Sequence, residues 1–217
     1  DPAGWYLEYS GTSMATPAAA GASALVRQYL IEVAERPAPQ GALVKAMLIL
    51  GAEDMSDTNG DGVQEARDIP NDQEGWGRLD LANTLVPDGD VGTYVDDRSR
   101  LKSGEQAEYN FEVTRSGEPL KVVLAWSDYP GSAFSNTQLR NDLDLEVTSP
   151  NGQVTYIGND FQNGKSKTGG SKDDKNNVEV VLIDSAAVGI WNVKVIDYSH
   201  GGARTYQPFA IAVRGVN

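Results

Sequence analysis

Leu81-Ala82-Asn83-Thr84-Leu85-Val86-Pro87-Asp88-Gly89-Asp90 is the stretch at which the chain changes its period. Upstream, apolar residues recur with helical spacing; downstream they alternate with polar ones, the mark of strands half-covered by a second layer. Pro87 and Gly89 make the junction a linker, because proline fixes its own backbone and glycine loosens its neighbour's. Upstream, Met14, Ala15, Ala18, Ala19, Ala22, Leu25, Val26, Tyr29, Leu30 and Val33 predict a helix over 14–34, with Pro17 in its first turn and Arg36-Pro37-Ala38-Pro39 ending it. Leu43, Val44, Met47, Leu48 and Leu50 predict a second helix over Gly41 to Ala52. Both are apolar on most faces, and the first opens on Ala and Gly nearly all round, so both are expected to pack centrally, against a sheet this chain does not supply.

Downstream, short strands are predicted at 107–114, 120–126, 143–148, 154–157, 178–183, 191–196 and 209–213. Turn signals separate them, among them Ser116-Gly117, Pro130-Gly131, Pro150-Asn151-Gly152 and His200-Gly201-Gly202. Short strands with no helix between them predict an antiparallel β-sandwich of jelly-roll type. Residues 162–177, rich in Gly, Lys, Asn and Asp, read as a long surface loop. The expected fold is thus an α/β remnant over residues 1–86, followed by an all-β antiparallel jelly roll or β-sandwich over residues 91–217.

Composition narrows the function. The 217 residues carry 31 acidic and 18 basic side chains, a net charge of −13, which disfavours nucleic-acid backbones and anionic membrane surfaces as partners. With no cysteine, disulfides, thiol nucleophiles and zinc-thiolate sites are excluded. No apolar run is long enough to span a membrane, and Asp1-Pro2-Ala3-Gly4-Trp5 does not open like a targeting segment. Because the first chemical motif follows within a few residues, Asp1 is expected to be a cut or an artificial boundary, with autolysis, deliberate nicking and a truncated reading frame all open.

That motif is Ser10-Gly11-Thr12-Ser13-Met14-Ala15-Thr16-Pro17. A serine at a glycine-opened turn that starts a helix has an exposed hydroxyl, and the free amides of the helix start can hold a developing oxyanion. The plainer reading is a serine helix cap on an Ala-rich helix. The segment resembles the nucleophile segment of the subtilisin-like serine proteases, the subtilases, and the resemblance implies that Ser13 is catalytic. Lys45-Ala46-Met47-Leu48-Ile49 and Gly75-Trp76-Gly77-Arg78-Leu79-Asp80 are similar to the end of a subtilase catalytic domain. Residues 91–217 resemble the C-terminal jelly roll of oxidatively stable alkaline subtilases at Trp126-Ser127-Asp128, Asn141-Asp142-Leu143-Asp144-Leu145, Gly158-Asn159-Asp160 and Asn176-Asn177-Val178-Glu179.

The resemblance implies a secreted endopeptidase acting on protein or peptide substrates. Its triad runs Asp, His, Ser in chain order, with an oxyanion Asn between His and Ser. All three partners of Ser13 would therefore belong to an N-terminal part of the same protease, upstream of Asp1 or on a companion chain, and this chain alone would be inactive. His200, the only histidine, falls after Ser13 between sandwich strands and reads as a surface hairpin residue. The rival function is a calcium-binding sandwich module that stabilises or targets a protease without being catalytic.

Calcium is the expected cofactor. Asp57, Asn59 and Asp61 stand at loop positions 1, 3 and 5, Gly62 at 6, the Val63 carbonyl at 7 and Asp68 at 12, a spacing that gathers oxygens around one calcium ion. An acidic surface turn is the alternative. In the sandwich, the resemblance implies one or two further calcium sites among Asp128, Asn141, Asp142, Asp144, Asp160, Asp173 and Asp174; for any one of these a solvated side chain or an Asx-turn serves as well.

Overall fold

A computed structural model describes residue 4 and residues 8–55, 68–85, 92–201 and 205–216, with the side chains of residues 92, 93 and 200 left aside. Three helices precede the strands: α1 (Thr12–Glu32), α2 (Gly41–Gly51) and α3 (Leu81–Leu85). Two antiparallel sheets follow. One holds β1 (Gly92–Asp96), β10 (Gln207–Val216), β4 (Leu120–Trp126) and β8 (Val178–Ile183) in that order, with β2 (Arg100–Leu101) also on β10. The other runs β3 (Gln106–Val113), β9 (Gly189–His200), β5 (Asn141–Thr148), β6 (Thr155–Gln162) and β7 (Lys165–Thr168).

The sheets close face to face on a core that includes Leu120, Leu124, Trp126, Leu143, Leu145, Trp191, Phe209 and Ile211. This is the β-sandwich that the alternation implies. Trp126 and Trp191 are both buried, and each indole N–H donates to a backbone carbonyl, of Asn141 and Ala187 respectively. The expected loop over 162–177 is corrected in part, since Lys165–Thr168 pairs with β6.

The expectation that the helices need an absent sheet is corrected for α2. The outer faces of β4, β8 and β10 present Val123, Ala125, Val178, Val180, Ala210 and Ala212, and these pack with Leu43, Ala46, Met47 and Leu50 of α2 in a second core. β4 is therefore buried along its whole length, which is why its sequence reads as an unbroken apolar run rather than an alternation. The signal was ambiguous, because a strand covered on both faces looks the same whether a helix of its own chain or of another covers it.

Polar contacts fasten this layer. Arg36 pairs with Asp97 at 2.8 Å, and Asp97 accepts the Gln40 backbone N–H at 2.9 Å. Lys45 donates to the Asn177 side chain at 3.0 Å. Lys121, buried on the helix-facing side of β4, donates to the Ile49 carbonyl at 2.6 Å and the Ala52 carbonyl at 3.3 Å, placing a cation at the C-terminal end of α2, where the helix dipole favours one. Burial, assisted by Arg214, lowers the Lys121 ammonium to about 8.

α1 is different. Only Ala22, Val26 and Leu30 are buried, and from Thr12 to Ala18 every residue is exposed. Met14, Leu25 and Ile31 stand among the exposed large apolar side chains. Pro17 is the sixth residue of α1 rather than part of its first turn; lacking an N–H, it cannot bond the Ser13 carbonyl four residues back.

Candidate active-site serine and a buried carboxylate cluster

Ser13 is the second residue of α1 and is exposed. Gly11 caps the helix with φ 138°, a left-handed backbone that glycine adopts without strain. Its carbonyl accepts the N–H groups of Met14 at 3.0 Å and Ala15 at 3.1 Å. The amides of Thr12 and Ser13 precede the first intrahelical bond and so belong to the unpaired positive end of the helix. No side chain caps that end and no acid sits in its first turn. Backbone donors and an exposed hydroxyl thus meet at one place, suited to an attacking oxygen and the anion it creates.

The Gly75-Trp76-Gly77 turn ties this region to the sandwich. Arg78 and Glu53 exchange both backbone hydrogen bonds, at 2.7 and 2.9 Å, and Gly77, at φ 103°, leaves no room for a Cβ against the Glu53 carbonyl. Trp76 meets the Phe161 ring of β6 edge-on at 5.6 Å. A cavity of about 590 Å³ lies where α2 ends, lined by Lys121, Arg214, Asp54 and Asp68 among others; Ser13 is not part of it.

Of the calcium-loop residues, Asp57, Asn59, Asp61 and Val63 lie outside the described residues. Asp68 is described, and the Gly164 turn of the β6–β7 hairpin packs against it and Asp54. Among the described residues no three carboxylate or imidazole groups converge to hold one ion in this arrangement.

The structure separates the sandwich acids into two groups. Asp128 accepts backbone N–H bonds from Tyr129, Arg140 and Asn141 at 2.7–2.9 Å, anchoring the start of β5. Asn141 is buried and donates to Gln207. Asp142 and Asp144 instead lie beside a gap in the second sheet, where β6 pairs with β5 only at residues 146–148. Beyond that point β6 leans toward β8: Asn159, at φ 60°, accepts from the Val180 N–H and donates to the Val178 carbonyl. Asp173 accepts from the side chains of Asn159 and Asn176 and from the Lys175 backbone. Asp160 pairs with Lys167 at 3.3 Å, and Gly170 passes so close that a Cβ there would collide with the carboxylate.

Glu179, which the sequence reading did not single out as a site residue, enters the same gap from β8. It is fully buried, and one oxygen accepts the Leu145 N–H at 2.5 Å. Its signal was present: a lone acid inside the apolar run Val178-Glu179-Val180-Val181-Leu182-Ile183. Gly158 gives it space, since a Cβ there would collide with the Glu179 carboxylate. Burial lifts Glu179 well above the usual carboxylate range, with Asp144, Asp173 and Asp142 adding to the shift. Burial, reinforced by Asp144, Asp174 and Asp173, pushes Asp142 up to about 6. The described cation in the gap is Lys172, 2.8 Å from Asp144 and 3.5 Å from Glu146. Buried oxygens Asp142 Oδ1, Asp144 Oδ1 and Glu179 Oε1 have no hydrogen-bond partner among the described residues.

Comparisons with known proteins match two separate stretches of the chain. The subtilase family model matches residues 1–77, and that of the proprotein convertase P-domain matches residues 133–211. Among curated proteins, the chain is 26% identical over 224 residues to the serine protease/ABC transporter B family protein tagD of Dictyostelium discoideum, covering 81% of this chain and 12% of that protein. It is 28% identical over 207 residues to tagA of the same organism, covering 87% and 11%. The chain thus spans only 11–12% of the length of these relatives. Among solved structures, the periplasmic g-type lysozyme inhibitor of Aeromonas hydrophila aligns at 13% identity and TM-score 0.30, over 57% of this chain and 83% of that one. A Sulfurospirillum deleyianum protein aligns at 7% and 0.31, over 58% and 97%; likenesses this distant add nothing to the sandwich seen directly. The serine motif at the exposed start of α1 lies within the stretch that matches the subtilase family, and the curated relatives are serine-protease family proteins, which together support a subtilisin-like protease part in this chain.

Proposed function

We propose that this chain is the C-terminal part of a secreted subtilisin-like serine endopeptidase, with residues 1–86 the end of its α/β catalytic domain and residues 91–217 a jelly roll braced against it. The observation that carries the reading is the position of Ser13, exposed at an uncapped helix start inside the segment matching the subtilase family. Ser13 Oγ attacks the scissile carbonyl of a protein or peptide substrate. An upstream His takes its proton and returns it to the leaving amine, an upstream Asp orients that His, and the Ser13 amide with an upstream Asn holds the oxyanion. The exposed apolar start of α1 is the surface on which that N-terminal part docks. Alone, the chain lacks the general base and is inert.

Calcium is the structural cofactor in this reading. The 57–68 loop would hold one ion through Asp57, Asn59, Asp61, the Val63 carbonyl and Asp68. In the sandwich, Asp142 and Asp144 fit a second ion better than Asp128, because they keep buried, unpartnered oxygens beside a gap while both Asp128 oxygens are engaged by backbone amides; Asp160 keeps one such oxygen as well but is paired with Lys167. A bound ion supplies positive charge that ties loops together. The test is peptide hydrolysis by the complete protein: Ser13→Ala should abolish turnover with unchanged thermal stability, and retained turnover would overturn the assignment.

A further inference from the structure

Two cations stand side by side on the helix-facing side of the first sheet. Arg214 of β10 is directly opposite Lys121 of β4 in the antiparallel register, and Leu182 of β8 is the next residue in the same row. Like charges placed opposite each other in a sheet repel and cost stability, and Arg214 is near enough to add to the lowering of the Lys121 ammonium. Among the described residues, what answers the pair is neutral. Lys121 donates to the Ile49 and Ala52 carbonyls, and Arg214 to the backbone and side-chain oxygens of Asn83 at 3.3 and 3.4 Å. An ammonium has three N–H donors and a guanidinium five, so these contacts leave donors over on both.

The row borders the cavity at the end of α2. Lys121, Arg214 and Leu182 all line it, Leu50 and Ile69 add apolar wall, and its volume of about 590 Å³ suits a small organic molecule. Lys121 is 7% exposed, so solvent screens its charge poorly and that charge weighs on whatever enters. Four carboxylates also line the cavity: Asp54 and Asp68 beside the Gly164 turn, and Glu118 and Asp184 just beyond the ends of β4 and β8. A ligand with one negative charge gains from the cation pair. A second charge, as on phosphate, is repelled by the surrounding acids.

We infer that this cavity binds a small monocarboxylate with a short aliphatic body, its carboxylate held between Lys121 and Arg214 and its carbon chain against Leu182, Leu50 and Ile69. Ser13 does not line the cavity, so the site is independent of the nucleophile. Binding supplies the anion that the opposed pair lacks. Occupancy therefore ties β4 and β10 to the end of α2 and strengthens the seam between helices and sandwich.

Isothermal titration of the 217-residue chain with sodium isovalerate tests the assignment at neutral pH, where Lys121 keeps its proton. Isovaleramide, the uncharged isostere, and inorganic phosphate serve as comparisons at equal ionic strength. Isovalerate should bind and raise the melting temperature. Isovaleramide and phosphate should each bind at least about tenfold more weakly, the worth of one charge-assisted hydrogen bond. Arg214→Gln, which leaves Lys121 and its bonds to α2 in place, should weaken isovalerate by about tenfold or more, and Lys121→Met should do the same. Near-ultraviolet dichroism from the buried tryptophans reports that each variant keeps its fold, and if Lys121→Met does not, Arg214→Gln decides alone. No binding of isovalerate overturns the site, and binding that survives the substitutions overturns its location. Phosphate binding as tightly as isovalerate overturns the preference for a single charge, and isovaleramide doing so overturns the role of the cations.

Discussion

Lys121→Met would remove a cation buried between the sandwich and α2, and its effect is best read against pH. The folded chain holds the Lys121 ammonium at about 8 against an ordinary value of 10.5. Between those values the unfolded chain keeps the proton and the folded chain has lost it, so stability rises with pH across that window. At about 1.4 kcal/mol per unit, the rise due to this group is about 3 kcal/mol. At neutral pH the substitution should change little, because two effects oppose. Losing the charged donor to the Ile49 and Ala52 carbonyls costs about 1.5–3 kcal/mol per bond, but removing a buried charge recovers a similar amount. Urea unfolding followed by tryptophan fluorescence from pH 7 to pH 10.5 would give the stability difference between parent and variant. It should swing toward the parent by about 3 kcal/mol across the range. Parallel profiles would refute the argument; a swing in the opposite sense would mean that the helix carbonyls hold the proton more strongly than burial expels it.

Other expectations can be checked on the same chain. Asn159→Ala should lower stability by about 2–4 kcal/mol in urea unfolding, since it strips the Val180 N–H and Val178 carbonyl of their partner and leaves alanine at a positive φ. Leu25→Glu, on the exposed side of α1, should leave the melting temperature of the 217-residue chain within a degree or so yet prevent co-purification with the N-terminal part of the protease; unimpaired assembly would show that this face is not the docking surface. Calcium should raise the melting temperature relative to excess chelator, and Asp61→Ala should remove a large part of that gain; identical melting curves in calcium and chelator would count against the 57–68 site.

The parts of the fold that were legible in the sequence are those governed by local rules. The strand cores at 107–113, 120–126, 143–148, 178–183, 191–196 and 209–213 announce themselves by alternation or continuous apolar runs, and α1 and α2 begin and end within two residues of their predicted bounds. What was not legible is pairing at a distance. β1, β2 and β7 are short edge segments whose partners, not their own residues, make them strands. That α2 shares the sandwich's sheet follows from which face of β4 meets Leu43 and Met47, information that a run buried on both sides does not carry. Ser13 could be singled out as a candidate because its turn is a contiguous motif. Glu179 was not, because its meaning comes from Asp142 and Asp144 on another strand and from the room that Gly158 leaves.

The central claim is that Ser13 is a protease nucleophile completed by residues outside this chain. The most direct measurement is labelling with a fluorophosphonate, a reagent selective for activated serines, followed by mapping of the adduct by mass spectrometry. In the complete protein the adduct should sit on the peptide containing Ser13 and vanish in Ser13→Ala, and the 217-residue chain alone should remain unlabelled. An adduct on a different serine, or labelling that persists in Ser13→Ala, would contradict the account.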